Sequence, residues 1–187
     1  MLYLSKGIIC TDRTNDIITV ARGNRTINFK GIEAELWLRG RFGFSKTHNQ
    51  SEASALKRLE ELELIECESD DTPDRRYAIL TRCVCCVARI KPIRVPLGLS
   101  EKNIITWLSK AGLRLTTAEL VYLVENNVKP DESLLYEHNR QALVERIYTT
   151  NTIADNILEN QMKFASCRDK VIDLILSLLK KKRLVIL

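Results

Sequence analysis

Apolar residues recur along this chain with two different periods, and the change of period marks its elements. Residues 7–11 and 16–22 are rich in Ile, Val and Thr, and residues 25–29 alternate polar with apolar. Asn15-Asp16 and Gly23-Asn24 stand between them as turn pairs, which predicts an N-terminal β-hairpin region. The spacing then lengthens. Ile32, Leu36 and Phe42 share one helical face, Trp37 and Leu38 widen it, and Glu33, Glu35 and Arg39 lie off it. Gly40 and Gly43 weaken the end of that helix. After the polar connection FSKTHNQ, Ala55, Leu56, Leu59, Leu62 and Ile65 keep helical spacing behind Ser51, a good capping residue. The chain leaves through IECES and turns at DDTPD. It returns in RRYAILTRCVCCVARI, where Tyr77, Ile79, Thr81, Cys83 and Cys85 alternate as in a strand.

Pro92, Pro96 and Gly98 interrupt both periods, so residues 92–99 are expected to be a linker between domains at 1–91 and 100–187. Beyond it the pattern is helical. Ser100 and Glu101 open a helix through Trp107 and Leu108 that stops at Gly112, and Thr116 or Thr117 caps AELVYLVENN. A longer helix is predicted from Asp131 or Ser133 to Tyr148, a short one behind Thr152, and a strongly amphipathic one from Ser166 onward. LVIL at the end reads as a short buried strand or an apolar helical end. The fold class expected is therefore mainly α with small β components, an α+β chain of two domains.

Composition narrows the function classes. Of 187 residues, 45% are hydrophobic and 28% charged, with Gly 7 and Pro 4, which excludes collagen-like, linker-rich and largely disordered chains. Aromatics at 6% are too few for a base-stacking platform. No apolar run is long enough for a membrane-spanning helix and no secretory signal is recognised, so a cytoplasmic location with reduced cysteines is expected. The net charge of +5 is mild but uneven. Residues 59–74 carry acids and no base. Arg75, Arg76, Arg82, Arg89 and Lys91 follow without an acid, and residues 163–187 are again basic. Basic blocks suit a phosphate backbone, and an acidic block stays away from one.

Leu56-Lys57-Arg58-Leu59-Glu60-Glu61-Leu62-Glu63-Leu64-Ile65, then DDTPD, then RRYAILT resemble the end of a winged-helix domain. In that superfamily a recognition helix leads into a strand, a wing and a returning strand. By this resemblance residues 71–76 hold the wing tip and 77–81 the returning strand. Glu63 stands where the family commonly has glycine, so the helix either runs on or ends without a left-handed turn. The stretch between Phe42 and Gln50 is short for a full second helix, which implies a reduced helix-turn-helix. Residues 152–160, a turn, and 168–181 leading into KRLVIL resemble helix, turn, recognition helix and first wing strand, without a second wing strand. The two segments together cover roughly two-thirds of the chain, and such a resemblance speaks more for fold than for function.

The resemblance implies duplex DNA as partner, with the recognition helix in the major groove and basic wing residues on phosphates. The implied contacts are Asn49, Gln50, Ser51 and Ser54 at the helix start beside His48, Lys57 and Arg58 on phosphate, and Arg75 and Arg76 at the wing. In the second domain they are Lys163, Ser166, Arg168, Lys170, Lys180, Lys181, Lys182 and Arg183. The function expected is a sequence-specific transcriptional regulator binding as a dimer. The alternative is an adaptor or assembly module whose winged helices bind partner proteins or a membrane-associated complex. The acidic Glu52, Glu60, Glu61 and Glu63 favour that alternative.

Chemistry is sparse. Cys83, Cys85 and Cys86 form C-x-C-C within the expected strand, where burial is favoured over metal or redox chemistry. His48 and His138 have no metal-like or triad-like neighbours, and no phosphate-binding glycine loop, zinc-protease or nucleophile-elbow motif occurs. No enzyme activity, metal or cofactor is expected.

Overall fold

The computed structural model describes residues 1–10, 17–88, 95–110, 114–130, 140–148 and 155–187. The chain is α+β, as its pattern predicts, and forms two compact units: Met1–Cys83 with Val185–Leu187, and Val84–Leu184. Of the expected linker, 92–99, residues 95–99 are described and lie within the second, where Leu99 begins a helix. The turn at Asn15-Asp16, the helix stop at Gly112, the helix starts at Asp131 and Ser133, the cap at Thr152, and Pro92, Arg89, Lys91 and His138 lie outside the described residues.

The first unit runs β1 (Leu2–Ser5), β2 (Ile8–Ile9), β3 (Ile17–Arg22), β4 (Arg25–Lys30), α1 (Ile32–Gly40), β5 (Ser45–Lys46), α2 (Gln50–Glu61), β6 (Ile65–Glu68) and α3 (Pro73–Thr81). β2, β3 and β4 make the antiparallel hairpin region in that order, with Val20 opposite Ile27 and Arg22 opposite Arg25 across the Gly23-Asn24 turn. β1 has no sequence signal of its own, because all four of its residues are buried and no alternation results. It is the middle strand of a second sheet, between β5 and β6 and antiparallel to both. Helix α1 packs at β1 through Gly40, where an added Cβ would lie 2.5 Å from Ser5 Oγ and 2.7 Å from Tyr3 Cε2. Tyr3 OH donates to Leu36 O at 3.0 Å, and Trp37 Nε1 donates to Lys6 O at 3.0 Å. The core gathers Tyr3, Val20, Leu36, Trp37, Leu56, Leu59 and Leu64.

Three expectations in this unit are corrected. The cap of α2 is Asn49, whose side chain accepts from Glu52 N at 2.8 Å; Ser51 lies exposed one residue inside the helix. Glu63 does adopt the left-handed turn, with φ 57°. Leu64 N–H reaches Leu59 O at 2.9 Å and Glu63 N–H reaches Glu60 O at 2.8 Å, the Schellman closure with Glu in the usual glycine place. The expected wing and returning strand are instead α3. Thr72 caps it by accepting from Arg75 N, Pro73 occupies the first turn where its missing N–H costs nothing, and Asp74 favours the positive helix end. Tyr77, Ile79 and Leu80 are buried from this helix.

The second unit runs β7 (Val84–Val87), α4 (Leu99–Lys110), β8 (Leu115–Thr116), α5 (Thr117–Glu125), α6 (Arg140–Ile147), α7 (Asp155–Met162) and α8 (Arg168–Lys180), with β9 (Leu184–Ile186) entered from it. β7 pairs antiparallel with β8, and Ala88 N–H donates to Arg183 O at 2.9 Å. The strand that opens each unit therefore has neighbours on both sides: the short strand after the first long helix, and the chain that leaves a later helix. Thr116 closes a full capping box with Glu119. Helices α5 and α8 end as α2 does, with Asn127 at φ 50° and Lys182 at φ 55° and six-residue closures back to Leu123 and Leu178. Ser166 does not cap α8; Cys167 stands at the cap position, and the Glu125 carboxylate accepts from Cys167 N at 3.0 Å. Val185–Leu187 belong with the first unit, where Gly7 N–H donates to Ile186 O at 2.8 Å.

Two stability changes follow. Gly40→Ala loses about 1–3 kcal/mol, read by denaturant unfolding, because backbone or Tyr3 must move to admit the methyl group. Glu63→Gly gains roughly 0.5–1 kcal/mol by removing the left-handed strain, visible as a higher melting temperature.

Candidate interaction surface

The polar start of α2 is built around one carboxylate. Glu52 accepts from Arg39 Nη2 at 2.8 Å and from His48 N at 2.7 Å, and these bonds, Arg39 first, hold its carboxyl below the usual range. Around it Asn49, Gln50, Ser51, Ser54 and Lys57 are all exposed. Asn49 is occupied as the cap, and Ser54 Oγ donates back to Gln50 O at 3.1 Å. Arg58 Nη1 lies 3.1 Å from Glu33 Oε1 of α1.

The bases expected at a wing are paired with the acidic block. Arg75 Nη1 lies 3.0 Å from Glu68 Oε2, and Arg76 Nε lies 2.6 Å from Asp71 Oδ1. Arg82 reaches Glu66 at 2.6 Å and Glu68 at 2.9 Å, and Lys6 is paired with Glu66. Asp71 also takes Lys46 at 2.8 Å; the bonds from Arg76 and then Lys46 hold its carboxyl down at about 2. Glu66, Glu68 and Asp71 of the acidic block and Arg75, Arg76 and Arg82 after it thus neutralise one another within one unit. This removes much of the attraction that a phosphate backbone would find there.

In the second unit Lys181 lies 2.7 Å from buried Glu101, which also accepts from Ser177 Oγ at 2.7 Å and Gly98 N at 2.8 Å. Burial alone would raise the Glu101 pKa, but these donors outweigh it and lower it. Arg168 bonds Asp169 and the Lys163 carbonyl, each at 2.8 Å, and Ser166 Oγ donates to Glu125. Lys163 Nζ sits 5.8 Å from the ring of Phe164, an aromatic that is 83% exposed. Lys170 and Lys180 are exposed, Lys182 holds the left-handed turn, and Arg183 is half-buried.

Cys83 and Cys85 are buried and Cys86 is half-buried. Cys83 Sγ donates to Ile79 O at 3.2 Å, and burial pushes its thiol up to about 12. Burial first, and a neighbouring glutamate next, push Cys67 and Cys167 to about 12 as well. A raised thiol pKa disfavours the thiolate that nucleophilic attack needs. Among the described residues no His, Cys, Asp and Glu side chains group to hold a metal ion.

A surface without any motif in the sequence is the outer edge of β4. It ends its sheet, and a cavity of about 380 Å³ opens beside it, lined by Asn28, Phe29, Lys30, Ile32, Glu33 and Arg58. Cys10 N–H donates to Thr19 O, which turns the Thr19 backbone toward β2. Antiparallel pairing alternates, so the Thr26, Asn28 and Lys30 backbone groups opposite that phase face outward from β4. Phe29 points the other way, into the core, edge-on to Trp37 at 6.0 Å. Alternation over 25–29 revealed the strand, but only the sheet order shows that, among the described residues, no strand pairs with its outer side.

The Asp71 carboxylate yields a pH prediction. Its folded pKa lies below the ordinary value, so its contribution is present above pH 4 and is lost as pH falls toward 2. Urea unfolding between pH 2 and 5 should show that loss in the native chain and a shallower one in Asp71→Asn. Comparison with family models, curated proteins and solved structures finds no match to this chain.

Proposed function

We propose that this chain is a non-catalytic interaction module of winged-helix type, and that its first unit binds an extended polypeptide segment along the outer edge of β4. The open edge carries the reading. The outward backbone groups at Thr26, Asn28 and Lys30 offer a peptide a ladder of hydrogen bonds, and the adjoining cavity offers one of its side chains a place. Two further observations support it. The wing expected to lie on DNA is helix α3, and Arg58, Arg75 and Arg76 already lie on carboxylates. The order of helix α2 followed by β6 in a sheet with β1 and β5 supports the winged-helix kinship.

Binding of duplex DNA is the second reading, and it rests on the second unit. There Lys170 and Lys180, on helix α8 behind the α7–α8 turn, are exposed. A regulator built this way would use Lys163, Lys170, Lys180 and Lys182 on phosphates and need a dimer for affinity.

One experiment separates the readings. Random dodecapeptides are displayed against the full chain, and the enriched ones are titrated against the native protein and Asn28→Pro. Proline at an outward-facing edge position spares the β3 ladder but removes a donor and blocks the added strand. The expected result is a loss of about ten-fold or more in affinity, with the melting temperature nearly unchanged. Equal binding to both proteins sinks the reading. So does failure to enrich any peptide while random duplex DNA binds with a steep salt dependence.

A further inference from the structure

Most described guanidinium groups of the first unit are paired, and one that is half-buried is not. Arg22, Arg39, Arg58, Arg75, Arg76 and Arg82 each lie within ion-pair distance of a carboxylate. Arg41 has none among the described residues. Its guanidinium carbon lies 5.6 Å from the ring centroid of Trp37 and 5.0 Å from that of Phe42. Arg25, the other described arginine of this unit without such a partner, is exposed, whereas Arg41 is half-buried. Desolvation alone lowers the Arg41 pKa, with no anion to offset it.

This arrangement has a physical cost. A partly desolvated cation without a counter-charge is less stable than the same cation in water. Stacking on aromatic faces offsets part of that cost, because each ring presents a negative face to the cation. Contact with both rings restricts the guanidinium, and among the described residues no carboxylate pairs with its N–H edge. A carboxylate accepts two parallel bonds from that edge, stronger in a partly dry site than in water. The entropy of orienting the arginine is then lost before binding rather than during it.

The location ties this group to the β4 edge. Trp37 is the shared ring: Phe29 of β4 packs edge-on against it, and Arg41 stacks over it. We infer that Arg41 is an anchor for an acidic side chain, so that the polypeptide bound by the first unit carries an Asp or Glu that forks onto its guanidinium. The inference rests on the partner-polypeptide reading and supplies the chemistry of that partner. The surroundings agree in charge. Arg25 and Lys30, exposed on β4, carry the same sign of charge as Arg41.

The test uses fluorescein-labelled hexaglutamate and a labelled random duplex, titrated by anisotropy into the full chain and three variants. Arg41→Met keeps an apolar stem on Trp37 and removes the charge. Arg41→Lys keeps the charge and removes the fork. Arg25→Ser removes an exposed charge only. The expected result is saturable hexaglutamate binding that weakens about ten-fold in Arg41→Met, less in Arg41→Lys and little in Arg25→Ser. Arg41→Met should melt at or above the native temperature, since a desolvated charge is gone; a purely structural stack would make it melt lower, and that result overturns the assignment. No hexaglutamate binding, or equal weakening by Arg41→Met and Arg25→Ser, also overturns it. Competition by the duplex that is lost in Arg41→Met would make Arg41 a phosphate contact and overturn it in favour of nucleic acid. Failure here with the Asn28→Pro effect intact removes the acidic anchor and leaves the strand-edge reading standing. An intact anchor without that effect does the reverse.

Discussion

The first unit is organised by the complete burial of β1. A strand buried on both faces and paired on both edges must satisfy every backbone group through its neighbours, so β5 and β6 are fixed in register against it. Helix α1 can then approach only where no Cβ intervenes, which is Gly40. Tyr3 and Trp37 lock the contact by hydrogen bonds to backbone carbonyls of the opposite element. Trp37 in turn is in contact with both Phe29 and Arg41. The geometry of the candidate surface is inherited from this one packing event.

Electrostatics in the same unit is largely spent internally. The acidic block and the bases after it lie close in the chain, and β6 and α3 bring them face to face as Arg75, Arg76 and Arg82 against Glu66, Glu68 and Asp71. Exposed pairs of this kind contribute little to stability each. Their larger effect is on function, since a paired arginine attracts phosphate weakly. Arg41 stands out against this background because it is half-buried and, among the described residues, no carboxylate pairs with it.

Helix ends show where pattern reading works and where it fails. Thr116 with Glu119 is a capping box that spacing alone announces, and it forms. Thr72-Pro73-Asp74 is an equally physical start signal, but the alternation of Tyr77, Ile79 and Thr81 points to a strand. The cap and the proline prevail. Glu63, Asn127 and Lys182 take left-handed turns that sequence assigns to glycine. Each follows a helix whose buried leucine at Leu59, Leu123 or Leu178 receives the closing hydrogen bond, so packing selects the turn against local preference.

The sequence by itself determined the α+β class, the hairpin of β3 and β4, and the helices at 50–61, 99–110, 117–125 and 168–180. Those elements carry their period in their own residues, and period is a local property. It also showed that Cys83 and Cys85 suit burial. Only the tertiary structure decided that Leu2–Ser5 is a central strand, that Pro73–Thr81 is a helix, and that, among the described residues, β4 ends its sheet and Arg41 pairs with no carboxylate. None of these is written in a spacing. Each depends on which distant segment lies alongside, and that is settled when the whole core packs and every buried backbone group and charge must find a partner or go without.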